Sequence, residues 1–434
     1  MVATTVDAFR PARTNAFLPA AVLIVVGIFS TTLAQEALLG RLPLLNLLKN
    51  ELHVNRTAAS GFFFLAGLAW YFKPLAGILT DAFPILGSRR KTYLLLSASL
   101  GVAVWLSVLF VPHRYDALLA IMVLLGLFMM TASTVVGAVL VETARTSGSS
   151  GRLTAMRFFV QYCCSIIGAL AGGYLASIWF GWTVAISAGV LFLIIPTAAL
   201  LLREQPVTAN ASEILARAGR QLKRIGGAGT MWAAGGLIAL FYIAPGFTTA
   251  LFYKQQTELH MTTQAQGWLN TIAALGAIAG TIAYAFACRR LRLRTLLIIC
   301  LSTATLTTMG YLFYSSVANA QIIEAVHGFG AAIATLALVD LSVRATPAGS
   351  EGLGYALMIS INNIARLGTD WVGSAMLDHL HLPFSNLVLM NAVTTLIAVP
   401  LVLLLPAALV RRREAETADD ALLIVGHEQD GAFD

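Results

Sequence analysis

A chain of 434 residues that is 58% hydrophobic and only 11% charged, with a mean hydropathy of +0.79, does not fit a soluble domain, where about a quarter of residues are charged. It reads as an integral membrane protein, so the net charge of +7 has to be assigned relative to a bilayer before any nucleic-acid partner is considered. The cysteines at 163, 164, 288 and 300 all fall in apolar runs and give neither a disulfide framework nor a zinc spacing, and no metal or cofactor is expected.

Residues 1–15 carry Arg10 and Arg13, and the apolar run that follows is of full span length without a small-residue cleavage site. It therefore reads as a first transmembrane helix and not a signal peptide. A spanning helix needs about 20 apolar residues. Twelve such segments follow one another, at 17–39, 58–80, 92–111, 117–142, 154–178, 182–202, 231–252, 265–288, 295–314, 318–342, 352–376 and 386–410. A closed barrel would need short alternating strands, and the unbroken run 191–202 does not alternate. The predicted fold is an all-α membrane protein of twelve helices in two pseudo-symmetric six-helix bundles.

An even number of segments puts both termini on one side. With that side cytoplasmic, 20 of the 28 Lys and Arg residues face the cytoplasm. Arg41, Lys49, Arg56, Arg114 and Lys254 fall opposite, and Lys73, Arg157 and Arg366 lie within segments. This bias sets the expected orientation and accounts for the basic balance without nucleic acid. The polar stretch 203–230 separates an N-terminal bundle (1–202) from a C-terminal one (231–410) as a cytoplasmic linker. Within it, 211–224 has Ile214, Leu215 and Leu222 among basic residues and predicts a short helix on the inner surface. The acidic, polar tail 411–434 is predicted to be disordered.

The loops after segments 4 and 10 resemble each other. Glu142 and Arg145 precede a Gly/Ser-rich link to Leu153-Thr-Ala-Met156, and Asp340 and Arg344 precede a Thr-Pro-Ala-Gly-Ser link to Leu353 and Met358. Small, basic cytoplasmic loops are one explanation; an internal repeat is the other. Two related bundles rocking about a central site form the architecture of many secondary transporters. There is no phosphate-binding loop, no HExxH and no nucleophile–base–orienter arrangement, so neither a nucleotide-driven pump nor an enzyme is expected.

The stretch 68–100 carries the most specific signal. Gly77, Asp81 four residues on, Gly87 and the cluster Arg89-Arg90-Lys91 lie between segments 2 and 3. Gly lets a neighbouring helix approach, Asp81 sits at the membrane edge within reach of an Arg or a helix N-terminus, and the basic cluster anchors the inner side. This pattern resembles the loop signature of the major facilitator superfamily. Its lengthened form, with Lys73-Pro74-Leu75, Phe83-Pro84 and Tyr93-Leu94, resembles the folate-biopterin transporter family, a likeness that continues more weakly through Val141-Glu142, Ala144-Arg145 and segment 11. The resemblance implies proton-coupled uptake of folates or pterins by alternating access. One departure stands out: helix 4 of that family usually carries two aspartates four residues apart, and Ser133 and Gly137 occupy the matching positions here.

Charges inside spans are costly and call for a reason. Lys73 fits either an anion contact or a structural pair with an acid. Arg157, with Gln161 one turn deeper, fits a substrate contact or snorkelling to the interface. Arg366 lies roughly 21 Å deep at 1.5 Å per residue. Asn362 and Asn363 precede it by a turn and Asp370 follows at i+4, a spacing for an intrahelical ion pair. This polar stripe reads as cavity lining, with an interhelical lock as the alternative. Glu36, beside Gln35 in segment 1, Glu324, near His327 in segment 10, and Asp370 are candidate proton carriers, though each Glu also fits a structural pair with a basic residue. Asp81, Arg89, Arg90, Glu142, Arg145, Asp340 and Arg344 gather at inner helix ends and are candidate gating residues.

The expected function is secondary active transport of folate, a pterin or a similar small aromatic organic anion, probed by Arg366, Arg157, Lys73, Gln161, Asn362 and Asn363. Transport or export of a different organic solute or drug is the nearest alternative, and a non-transporting membrane scaffold or assembly factor a further one. A monomer in a bacterial inner (plasma) membrane is expected, with protons and lipid as its other partners.

Overall fold

A computed structural model describes residues 17–147, 150–204, 211–347 and 351–410. Residues 1–16 and the tail 411–434, with the expectations placed on them, lie outside the described residues, as does the side chain of Arg145. Among the described residues the chain is helical throughout, apart from turns and one isolated bridge.

Among the described residues, eight helices are long and apolar enough to cross a membrane on their own. They are α3 (Lys91–Ser107), α4 (Tyr115–Ser147), α5 (Ser150–Leu175), α6 (Gly181–Phe192 continuing as Ile194–Leu201), α8 (Thr263–Arg290), α9 (Leu293–Met309), α10 (Val317–Ala345) and α12 (Phe384–Leu401). The other four expected segments, 1, 2, 7 and 11, depart from a plain apolar rod. Segment 1 is α1a (Phe17–Leu33) and α1b (Arg41–Asn46), separated by non-helical residues 34–40. Segment 2 breaks at Gly67 and Phe72 into α2a (Arg56–Ala66), α2b (Leu68–Tyr71) and α2c (Lys73–Ala82). Segment 7 is α7a (Gly229–Tyr242) and α7b (Thr248–Thr257), with Pro245 and Gly246 in the break. Helix α11 (Glu351–His379) is continuous but carries the Asn-Arg-Asp stripe. Backbone can leave the helix at membrane depth only where protein or water satisfies its polar groups, so interruptions at matching places in the two halves mark the interior of the molecule.

One hydrophobic core is built from the N-terminal half, including Leu23, Phe62, Trp105, Met122 and Leu191, and a second from the C-terminal half, including Leu237, Leu297, Leu301 and Leu338. Lipid tails are as apolar as leucine, so close backbone approach supplies much of the helix association. Helices α8 and α10 touch in this way. A Cβ on Gly276 would lie 2.0 Å from the Ala325 carbonyl oxygen, and one on Gly328 would lie 2.0 Å from that of Ala273.

The end of the bundle that holds the basic loops is called here the basic end. Ties between the halves run from mid-depth, where Tyr162 and Thr281 share a hydrogen bond of 3.0 Å, to the far end. There Arg56 pairs with Asp378 at 2.7 Å, Thr57 donates to Asp378 through both N–H and hydroxyl, and Lys49 donates to Gln256 at 2.9 Å. The linker forms a helix over Ala211–Gly226, longer than expected by two residues. It buries Ala218 and Ile225, packs on α2c and α11, and meets α7a at 74°.

Candidate functional site

The break in segment 7 is held by α11. Gly246 donates its N–H to the Thr369 carbonyl at 2.9 Å, and a Cβ on Gly373 would lie 1.9 Å from the Gly246 oxygen, so the two backbones are in contact. One turn of α11 further toward the basic end from Gly373, the Asp370 carboxylate accepts from the Thr249 N–H at 3.0 Å and its hydroxyl at 2.6 Å. It thereby satisfies donors left free at the start of α7b, the office an N-cap residue usually performs from within the chain. The same carboxylate faces Arg41 at 3.7 Å, whose guanidinium lies 4.7 Å from the centre of the Phe63 ring. Asn391 of α12 donates to the Pro245 carbonyl at 2.9 Å and satisfies another group exposed by the break.

Two expectations change here. The spacing of Arg366 and Asp370 allowed an intrahelical pair, but Asp370 is bound to Arg41 and Thr249 instead. Arg41, assigned by charge counting to an outer loop, is drawn inside at the head of α1b, its side chain only 20% exposed. Segment 1 turns inward after Leu33, and this brings Arg41 to α11.

Beside these breaks lies a cavity of about 650 Å³ bounded by both halves. Arg366 lines it and is exposed to it, and among the described residues its guanidinium has no hydrogen-bond or ion-pair partner. Aromatic side chains form much of the wall: Phe241, Tyr242, Phe247, Phe252 and Tyr311. Glu324 also borders the cavity, and its two carboxylate oxygens accept from the Tyr311 and Tyr314 hydroxyls at 3.0 and 3.1 Å. No basic side chain pairs with it among the described residues, so the alternative of a salt bridge at a helix junction does not hold. Gln255 donates to the Tyr314 hydroxyl at 2.6 Å, and the His327 ring meets the Tyr311 ring edge-on at 4.9 Å. A cation, flat aromatic walls and a carboxylate held by hydroxyl donors can together bind a planar, partly polar anion and exchange a proton.

The other sequence candidates divide. Asn362 sits beside Tyr242 at the edge of the cavity, and Gln161 lies one turn from the lining residue Ser165, whose hydroxyl donates to the Gln161 carbonyl. Asn363 does not line the cavity. Glu36 lies in the non-helical stretch 34–40 and not in a helix. It is buried next to the lining residue Ala37, with one carboxylate oxygen lacking a partner among the described residues. Lys73 and Arg157 do not reach the cavity but lie near each other: Lys73 Nζ donates to the Ser133 hydroxyl at 3.0 Å and stands 5.2 Å from the Trp70 ring centre.

At the basic end, Arg90 joins Asp81 and Glu142, each at 2.7 Å. Partial burial works against its charge, but the Glu142 and Asp81 carboxylates outweigh that and hold the guanidinium above its ordinary value. Arg89 stands outside this network, its Nε without a partner. In the second half, Arg344 pairs with Asp340 at 2.8 Å, and the Tyr284 hydroxyl donates to the same acid at 3.3 Å. Between α2c and α3 the chain makes a tight turn closed by Ile85 and Ser88, with Leu86 and Gly87 at φ of 53° and 75°, the left-handed pair that a two-residue reversal demands. Glu204, which sequence reasoning missed, binds this turn. Its carboxylate accepts from the Ser88 hydroxyl and from the N–H groups of Arg89, Arg90 and Lys91, capping α3. Burial alone would raise its carboxyl pKa, but these donors prevail and lower it.

The BT1 family matches this chain across residues 36–421. A "Folate-biopterin transporter" of Synechocystis sp. is 27% identical over 395 residues, covering 85% of this chain and 78% of that protein. "Folate transporter 1" of Plasmodium falciparum is 22% identical over 367 residues, covering 80% and 70%. Among solved structures, a D-xylose–proton symporter aligns with a TM-score of 0.67 at 15% identity over 90% of this chain and 98% of that one. A nucleoside transporter, NupG, aligns with a TM-score of 0.64 at 12% identity, covering 91% and 99%. At these identities the two structures speak for the fold alone, which is that of the major facilitator transporters.

Proposed function

This chain belongs to the BT1 family, and on that premise we propose that it is a secondary transporter moving folate, a pterin or a similar small aromatic organic anion by alternating access, coupled to protons. The observation that carries the reading is Arg366, a cation without a partner among the described residues, facing an aromatic-walled cavity where both halves meet. A charge kept unpaired at membrane depth is explained by an anion that visits it. The cavity volume of about 650 Å³ lies in the range of small-molecule sites, roughly 300–1,000 Å³. The names of these relatives supply the chemical class.

In this reading Arg366 holds the anionic group, with Asn362 and Gln161 as further polar contacts. Glu324 and Glu36 carry the proton, and Asp370 holds the broken helix against Arg41. The ties at the far end keep that side shut while substrate exchanges with the basic end. The triad Asp81–Arg90–Glu142 and the pair Asp340–Arg344, with Arg89 and Arg145 nearby in sequence, serve the opposite gate. The basic end is the cytoplasmic one, both termini lie there, and the protein is a monomer in the bacterial inner membrane.

The test is uptake of labelled folic acid and biopterin by bacteria that lack folate uptake, expressing the wild type or Arg366→Ala, with and without a protonophore. Saturable uptake lost in the variant and in uncoupled cells is the expected result. Absence of uptake of either compound by well-expressed wild type would sink the folate and pterin reading. A second reading, transport of a different organic anion, is favoured by Ser133 and Gly137 in place of the acids the family usually carries; a ligand panel scored by thermal stabilisation in detergent separates the two.

A further inference from the structure

Lys73 and Arg157 both lie in the N-terminal half, within range for their charges to act on each other, and neither lines the cavity that holds Arg366. Like charges repel, and neither has an acidic partner among the described residues. The Lys73 ammonium donates to Ser133 Oγ at 3.0 Å and lies 5.2 Å from the Trp70 ring centre. Having accepted that bond, the Ser133 hydroxyl still has its own proton to donate. Gly137 follows Ser133 by one turn on the same face of α4, and a Cβ placed there would meet nothing within 4 Å, so the helix leaves open room beside the pair.

We propose that Lys73, Arg157 and Ser133 form a second oxyanion site, which takes a carboxylate or phosphate group. An oxyanion offers one oxygen to the ammonium and hydroxyl and another to the guanidinium, and it cancels a repulsion that the protein itself leaves standing. The group is either a second acidic group of the transported anion or a free oxyanion that travels with it. The first source rests on the reading of the chain as a carrier of aromatic anions; the second does not.

The test uses the full-length chain in detergent and three ligands: folate, with two carboxylates; pteroate, with the same ring system and one; and inorganic phosphate. For a substrate-borne group, wild type binds folate at least about tenfold more tightly than pteroate, the factor that one charge-assisted hydrogen bond supplies. That ratio collapses toward one in Lys73→Gln and in Ser133→Asp, which supplies an internal counter-charge, and is retained in Lys73→Arg. For a free oxyanion, phosphate raises the melting temperature of wild type and Lys73→Arg but not of Lys73→Gln, while folate and pteroate bind alike. A folate-to-pteroate ratio untouched by the substitutions, together with no stabilisation by phosphate, overturns the site. If neither ring compound binds, the folate and pterin reading fails by itself and the phosphate measurement alone decides.

Discussion

Asp370 and Arg41 face each other at 3.7 Å from opposite halves of the molecule, and the same carboxylate closes the start of α7b through Thr249. One acid therefore secures an interruption within its own half and binds it to an interruption in the other. Breaking a buried pair by removing one partner leaves a charge without compensation and costs about 3–5 kcal/mol. Asp370→Ala is expected to lower the melting temperature in detergent more than Asp370→Asn, because the amide oxygen still accepts from Thr249. Both substitutions are expected to abolish uptake. Equal stability of the two variants would show that the cap contributes nothing.

The contact between Gly246 and Gly373 admits no side chain. Gly373→Ala would bring its Cβ to 1.9 Å from a backbone oxygen, so the helices must separate, at a cost of about 3 kcal/mol or more. In α6, Gly189→Ala meets nothing within 4 Å and is expected to be neutral or to stabilise by up to about 1 kcal/mol. Thermal unfolding of the two variants in detergent checks the contrast.

Acid should loosen the turn at the basic end. The donors gathered on Glu204 lower its carboxyl pKa from 4.5, so its contribution is complete above that value and is lost as pH falls through the lower folded one. Glu204→Gln is expected to be less stable than wild type at pH 7, with the gap closing as pH drops below 4.5. Melting curves from pH 7 downward measure this; a gap of constant size would rule the carboxylate out as its source.

The far end should open when its clamp is cut. Asp378 takes bonds from Arg56 and Thr57. In a background without the native cysteines, a Cys at Leu45, on the cavity wall, is expected to react several-fold faster with an impermeant maleimide applied from the far side once Asp378→Ala is introduced. An unchanged labelling rate would show that the clamp does not limit access.

The helical, membrane-spanning character of the segments was legible because a hydrocarbon core demands long apolar runs, and the polar stripe of α11 was legible because charge at that depth is rare. Asp81 and the basic cluster also announced that the acid could pair with an Arg, though not that the partner is Arg90. Arg41 was not legible, since charge counting treats a cation after an apolar run as part of a loop, and only the inward turn after Leu33 shows otherwise. Gly40 before it, and Pro245-Gly246 within segment 7, were the available signals of interrupted helix. Tyr311 and Tyr314 near the end of a span look like an interfacial aromatic belt, which hid their place on Glu324. Glu204 had no periodic partner in sequence; it meets the turn at Ser88 only once α6 has folded back beside α3.

Glu204 lies seven residues before the linker helix Ala211–Gly226, and the turn it grips is the one from which Arg90 reaches Asp81 and Glu142. The connection between the halves is thus moored beside the Arg90 ion network. A displacement of the C-terminal half that reached Glu204 would act on the turn that carries Arg90, and so on its bonds to Asp81 and Glu142.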